Sequence, residues 1–261
     1  MTFTICFIIT FIIYKSYIDN DFFHMVVHMY KRLIILSGPS CVGKSPLLKA
    51  LRRVHPDISF QMPVMYTSRP PRSIEQEGVD YCFRSEQEIR SLPPERYIAG
   101  KTRTVWQAID LEEIRRIFSR HNLIIFEIYP TLGKLFLSHP LIEQLAADFK
   151  VRTVFIHPVT DEEILDLQTN MGFPTPDDAV AAIMLPKHIG RMQQQGKLLT
   201  PEVMQDLLIR ASMAYTEMKM GQNYTDWIVN HDGEDSHNWC YTPPLGNAGV
   251  TLRHFVDILL K

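Results

Sequence analysis

The sequence predicts a three-layer α/β fold, a parallel sheet with helices on both faces, and three observations carry that prediction. Four short apolar runs, residues 33–36, 123–126, 153–156 and 227–229, read as strands buried on both faces. Helical or turn sequence separates each run from the next, as right-handed crossovers between parallel strands require. Directly after the first run, residues 38–45 read Gly-Pro-Ser-Cys-Val-Gly-Lys-Ser, the pattern G-x-x-x-x-G-K-[ST] of a phosphate-binding loop, or P-loop.

Taken in chain order, that loop comes first. A strand that ends in a glycine-bracketed turn and runs into a helix aims backbone N–H groups and the positive end of the helix dipole at one point. A polyphosphate fits there, so Gly38, Ser40, Val42, Gly43, Lys44 and Ser45 are the candidate ATP-binding residues. The glycines permit backbone angles and close approach that a Cβ would block, Lys44 reaches the β- and γ-phosphates, and the Ser45 hydroxyl ligates Mg²⁺. Pro46 has neither the N–H nor the hydroxyl usual at this position, so one phosphate contact is expected to be missing although a first helical turn tolerates proline. The helix continues over residues 47–54 and stops at His55-Pro56-Asp57.

Residues 58–109 break the rhythm and read as a small β-rich insertion with a turn over residues 73–78; residues 85–89, Ser-Glu-Gln-Glu-Ile, read as a capped short helix. Within the insertion stand Arg69, Arg72 and Tyr81, whose planar forks and phenol suit a phosphomonoester dianion. Glu127 ends the second apolar run, where a carboxylate can orient the water around Mg²⁺. Residues 161–221 read as mostly helical, interrupted by Pro174, Pro176, Pro186 and Pro201, with Thr200-Pro201-Glu202 a helix start, and suit a lid between two sheet strands. Lys187 and Lys197 read as solvated lysines. Residues 231–248 form a polar loop, and residues 250–260 a closing amphipathic helix. His231, Asp232, His237 and Cys240 lie close together in that loop, but their spacing matches no standard zinc pattern.

With 46% hydrophobic and 21% charged residues, the 261-residue chain has an ordinary globular composition, and a formal net charge of −2 argues against an electrostatic grip on nucleic acid or anionic membrane. Four scattered cysteines, Cys6, Cys41, Cys82 and Cys240, form no C-x-x-C pair and fit a reducing, cytoplasmic setting. Cys41, inside the phosphate loop, reads as a small filler, oxidation-sensitive only if the helix N-terminus lowers its thiol pKa. Residues 1–28 are expected to be an apolar extension ahead of a domain over residues 29–261. Their apolar stretch, residues 3–14, is too short to cross about 30 Å of hydrocarbon and has no Lys or Arg before it.

The phosphate loop and residues 67–83 together resemble the guanylate kinase family. The likeness lies in Gly-Pro-Ser-Cys-Val-Gly-Lys-Ser beside the family's G-P-S-G-V-G-K-S, and in Thr67-Ser-Arg-Pro-Pro-Arg72, Glu75 and Gly78-Val-Asp-Tyr-Cys-Phe83 beside its T-T-R-P-P-R, G-E and G-V-D-Y-x-F elements. Arg191, Gly196, Thr200, Glu202, Arg210, Ala214, Glu217 and Ile228-Val-Asn230 follow its lid and final-strand pattern. The resemblance implies a P-loop NTPase fold with residues 58–109 as the acceptor-binding region and residues 161–221 as the lid. It further implies MgATP as donor, a nucleoside monophosphate as acceptor, an acceptor-phosphate grip by Arg69, Arg72 and Tyr81, and catalytic roles for Lys44, Arg191 and Arg210. Thr104 stands where the family places an acceptor-binding hydroxyl.

The departures gather where the resemblance places base reading: Met65 replaces a serine, Tyr129 replaces an aspartate, and no glutamate and G-N-Y-Y-G segment lies between Glu95 and Thr104. A lid arginine is replaced by Gln195, and residues 165–190 read as an insertion. The expected activity is ATP-dependent phosphorylation of a nucleoside monophosphate, guanylate foremost. The alternatives are a non-catalytic binding module of the same build, or a P-loop kinase for another phosphorylated small molecule; intact Lys44 and Ser45 weigh against the first. Neither the oligomeric state nor the acceptor base is legible.

Overall fold

The computed structural model describes residues 30–72, 75–140, 142–143 and 149–261, so the expected extension over residues 1–28 lies outside the described residues, as do positions 73 and 74 of the expected turn. The chain begins with β1 (Arg32–Ser37), the phosphate loop and α1 (Lys44–Val54). A small-sheet region follows: β2 (Met65–Thr67), β3 (Tyr81–Phe83), α2 (Glu86–Arg90), β4 (Tyr97–Thr102) and β5 (Val105–Asp110). The chain returns to the main sheet through α3 (Leu111–Phe118), β6 (Leu123–Glu127), α4 (Pro130–Leu137) and β7 (Lys150–His157). Four helices come next, α5 (Asp161–Met171), α6 (Pro176–Gln194), α7 (Pro201–Ser212) and α8 (Ala214–Met220), before β8 (Asp226–Val229) and α9 (Gly246–Leu260).

The main sheet has the order β6-β1-β7-β8, every pair parallel. All six residues of β1 are buried, which accounts for its unbroken apolar reading. Alternate residues feed opposite layers: Ile34 and Leu36 join Leu47 and Leu51 of α1 and Leu252 and Phe255 of α9, whereas Leu33 and Ile35 join Ile114 and Phe118 of α3 and Leu132 and Phe136 of α4. The small sheet, ordered β3-β2-β5-β4, is mixed, with β2 and β3 parallel and the other pairs antiparallel. Ser85 and Glu88 form a reciprocal capping box at the start of α2.

Helices α5 to α8 build a third core around Ile164, Val180, Met184, Ala211 and Met218, and buried Cys41 of the phosphate loop belongs to it. Pro201 starts a helix behind the capping Thr200, as expected, and Pro176 does the same behind Thr175 where an interruption was expected. Pro186 interrupts nothing, because it lies inside α6, where one missing N–H is outweighed by the packing of that helix on both sides of it.

Candidate active site

The phosphate loop is fixed mainly by backbone geometry. Gly38 has φ 147° and Gly43 φ 100°; an added Cβ would strike the Ile156 carbonyl oxygen at the first and the Asn230 amide at the second. Asn230, fully buried just past β8, donates from Nδ2 to the Val42 carbonyl at 2.8 Å and accepts from the Thr251 hydroxyl at 3.1 Å. It therefore ties the loop to the last strand and to α9, a brace that sequence reading placed only within a family pattern. The Val42 side chain is wholly buried in the core, so only its main chain is left to serve the loop.

Lys44 lies in this cradle with its Nζ donating to the carbonyls of Gly38 at 2.9 Å and Pro39 at 2.8 Å. The Ser45 hydroxyl donates to the Glu127 carboxylate at 3.2 and 3.3 Å from its two oxygens. Burial pushes the Glu127 carboxyl above the usual carboxylate range, with Lys44 opposing the shift. A hydroxyl and a carboxylate side by side at a phosphate loop are the hard oxygen donors that suit Mg²⁺, so the residues present fit the ion.

The opposite wall comes from the small sheet. Arg69 forms a bidentate pair with Glu75, both contacts at 2.6 Å, and its guanidinium stands 4.8 Å from the Tyr81 ring centroid. The Arg72 backbone N–H donates to the same carboxylate at 2.9 Å, which orders both arginines around one anchor. Hydrogen bonding to Arg69 is the main reason why the Glu75 pKa falls below its ordinary value. Burial, followed by the neighbouring Arg69 and a smaller contribution from Arg191, lowers the Arg72 pKa, with Glu75, 3.6 Å from Nη1, opposing the shift. Burial also raises the Tyr81 phenol, so it faces the cavity as a neutral donor.

Two further arginines come from the helical region. Arg191 on α6 pairs with Glu234 at 2.9 Å, and Arg210 on α7 pairs with Asp206 at 2.7 Å. Burial works against the Arg191 charge, but Glu234 and lesser neighbours outweigh it and leave the pKa raised. The Cys41 thiol lies 3.0 Å from His188 Nδ1 and 3.5 Å from Arg191. Burial moves that thiol up rather than down, and pushes the His188 pKa down to about 3, so the pair is a neutral contact between the phosphate loop and α6. Lys187 is not the solvated lysine expected: its Nζ is buried and burial lowers its pKa. Lys197 is exposed, and Gln195 caps the end of α6. In the loop after β8, Asp232 accepts from Ser236, Asn238 and the Ala248 N–H, which makes it an organiser of that turn.

One cavity of about 360 Å³ joins these walls, within the size range of small-molecule sites. Ser40, Lys44, Ser45, Arg69, Arg72, Tyr81, Thr104, Glu127, Arg191 and Arg210 all line it. Gly38, Val42 and Gly43 do not; they frame the loop from behind. Residue-by-residue reading of the sequence missed Arg103, which lines the same cavity at the β4–β5 turn with φ 52°. Its Nε donates to the Tyr129 hydroxyl at 2.9 Å and its Nη2 to buried Glu217 at 2.7 Å. A lone arginine in a turn carries no sequence pattern, and Tyr129 and Glu217 lie 26 and 114 residues away.

The guanylate kinase family model matches residues 30–182, a stretch holding the phosphate loop and the small-sheet arginines and ending within α6 ahead of Arg191. The guanylate kinase of a Synechococcus species is 51% identical over 61 residues, covering 23% of this chain and 27% of that protein. The guanylate kinase of Cutibacterium acnes is 32% identical over 134 residues, covering 42% of this chain and 62% of that protein. The chain thus spans less than two thirds of the length of each of these two relatives. The crystal structure of guanylate kinase from Anaplasma phagocytophilum superposes with a TM-score of 0.50 at 16% identity, covering 88% of this chain and 85% of that one, a likeness of fold.

Proposed function

The chain belongs to the guanylate kinase family, and from that premise we propose that it transfers the γ-phosphoryl group of ATP to a nucleoside monophosphate, guanylate foremost. The observation that carries this reading is the single cavity with a main-chain phosphate cradle at Lys44 on one wall and the Arg69, Arg72 and Tyr81 group on the other. In this reading residues 58–109 are the acceptor-binding region, residues 161–221 the lid, and residues 29–261 one domain. No described helix is long and apolar enough to cross a membrane; a cytoplasmic setting belongs to the same proposal.

An oxygen of the acceptor phosphate attacks the γ-phosphorus in line, the bond to the β–γ bridging oxygen breaks, and ADP leaves as a nucleoside diphosphate forms. Lys44 withdraws from the Gly38 and Pro39 carbonyls to meet the β- and γ-phosphates. Arg69 and Arg72 orient the attacking phosphate, and Tyr81 donates to it. Arg191 and Arg210 approach from the lid and offset charge on the moving group. Ser45 and Glu127 would hold Mg²⁺, which would supply neutralising charge to the donor polyphosphate. Chemistry of this kind needs positioning and charge neutralisation more than a general base.

A coupled ADP-release assay over GMP, dGMP, AMP, CMP and UMP tests the reading. Turnover with at least one of them, fastest with GMP, is expected. A folded protein that binds ATP and turns over none of them is a binding module, and turnover confined to a phosphorylated compound that is no nucleotide makes it another P-loop kinase.

A further inference from the structure

The acceptor wall beyond Arg69 and Arg72 carries an arrangement that phosphate transfer alone does not use. Arg103 is the first central residue of a two-residue turn between paired Thr102 and Val105. A left-handed φ is unfavourable for an arginine, and here the side chain is clamped from behind. Nε and Nη2 are engaged by Tyr129 and Glu217, and the guanidinium lies 4.7 Å from the Tyr129 ring centroid. Tyr129 itself donates to Glu217. This leaves the outer edge of the fork, Nη1 with the second N–H of Nη2, without a hydrogen-bond partner among the described residues, in a residue that lines the cavity. Such an edge presents two parallel donors to two adjacent acceptors.

The side-chain carbonyl and carboxylate groups on the cavity wall each already take at least one internal hydrogen bond or ion pair. Glu127 faces Ser45, Glu234 faces Arg191, Asp80 takes the Gln76 N–H, and the Gln107 carbonyl oxygen takes the Thr102 hydroxyl. The same cavity is lined by the apolar side chains of Met62, Pro63, Met65 and Val105, a surface suited to the face of a flat ring. A guanine ring offers donors on its N1 and N2 edge but two neighbouring acceptors, N7 and O6, on the other, and an arginine fork matches the latter pair. Resting on the phosphotransferase reading above, we propose that Arg103 is the base-reading residue of this chain, held in place by Glu217 and Tyr129, and that it selects 6-oxopurine monophosphates through N7 and O6. The 2-amino group contributes little, so inosine monophosphate is accepted almost as well as guanosine monophosphate.

The test uses the full chain and needs no variant at first. Dissociation constants for GMP, IMP, 7-deaza-GMP and AMP are measured by calorimetry, alongside ADP release with each. GMP and IMP are expected to bind within about threefold of each other, 7-deaza-GMP about tenfold or more weaker, and AMP weaker than GMP by at least as much. Arg103→Lys keeps a charge for Glu217 but has no fork, and is expected to bind GMP and 7-deaza-GMP alike. Equal binding of GMP and 7-deaza-GMP by the unaltered protein, or IMP weaker than GMP by tenfold, overturns the proposal. So does an Arg103→Lys variant that weakens all four ligands equally, since Arg103 then serves the phosphate. The expected binding pattern without ADP release sinks the phosphotransferase reading and keeps the base reader. ADP release with the opposite pattern does the reverse, and binding of none of the four removes both.

Discussion

The two walls of the cavity are held by different physics. The Lys44 wall is main chain locked into the core: Gly38 and Gly43 meet Ile156 and Asn230 too closely for any side chain, and Val42 is buried beneath them. The Arg69 wall is side chain braced by side chain, with Glu75 holding two arginines and Glu217 holding Arg103 from a helix over a hundred residues away. A main-chain cradle admits almost no change without loss of shape, whereas a carboxylate-braced wall can be rebuilt by exchanging a few residues. That contrast explains why the Lys44 wall keeps both glycines, Lys44 and Ser45 of the family pattern despite Cys41 and Pro46, while Met65 and Tyr129 depart from it on the other side of the cavity.

The largest blow to the donor wall is Lys44→Ala. Removing a positioned cation from a phosphoryl-transfer site is expected to lower kcat by about 10³-fold or more, with the circular dichroism spectrum unchanged. An active variant would place the phosphates elsewhere. Gly43→Ala attacks the frame instead of the charge: with φ 100° and Asn230 in the path of the new methyl, a loss of about 1–3 kcal/mol is expected in urea titration, together with weaker ATP binding. Unaltered stability there would show that the loop is looser than its packing implies.

On the opposite wall, Arg69→Ala is expected to raise the acceptor KM by about 10- to 100-fold and leave the ATP KM within about twofold, as expected for loss of one charged hydrogen-bond pair. Equal effects on both KM values would mean that the walls are not separate functional units.

The contrast also decides what the sequence reveals. Strands β1, β6, β7 and β8 are legible because a parallel strand buried on both faces must be an apolar run, and the phosphate loop because its glycine spacing follows from backbone clashes. Arg69, Arg72 and Tyr81 are legible as a group because they lie within 13 residues of one another. Arg103 is not, because its meaning comes from Tyr129 and Glu217, which tertiary structure alone brings to it. Pro186 misleads for a related reason: proline reads locally as a break, but packing of α6 on two sides overrides that preference. Lys187 misleads likewise, since a lysine on a polar-looking helix is turned inward by the loop over residues 232–235.

Acid gives a gentler way to separate the walls. The Glu75 pKa in the folded chain lies below its ordinary value of 4.5, chiefly through Arg69. A depressed carboxyl contributes stability that is fully present above the unfolded pKa and is lost as pH falls through the lower folded one. Glu75→Gln is therefore expected to lower Tm by about 2–4 °C at pH 7, the change worth about 1 kcal/mol in a domain of this size, with the gap to the unaltered protein closing below pH 4.5. A gap that stays constant with pH would mean that the pair contributes nothing through its charge.

The smallest effect belongs to the one flaw in the main-chain wall. Pro46, in the first turn of α1, offers no N–H where the cradle points its donors, and its ring occupies the place of a hydroxyl-bearing side chain. Pro46→Thr restores both groups without disturbing a helix position whose N–H has no intrahelical partner in any case. One added hydrogen bond is worth about 0.5–1.5 kcal/mol, so ATP affinity is expected to rise by about 2- to 10-fold while the acceptor KM stays constant. A gain confined to ATP shows that the donor wall can be improved on its own; a matching change in the acceptor KM would mean that the two walls communicate through α1.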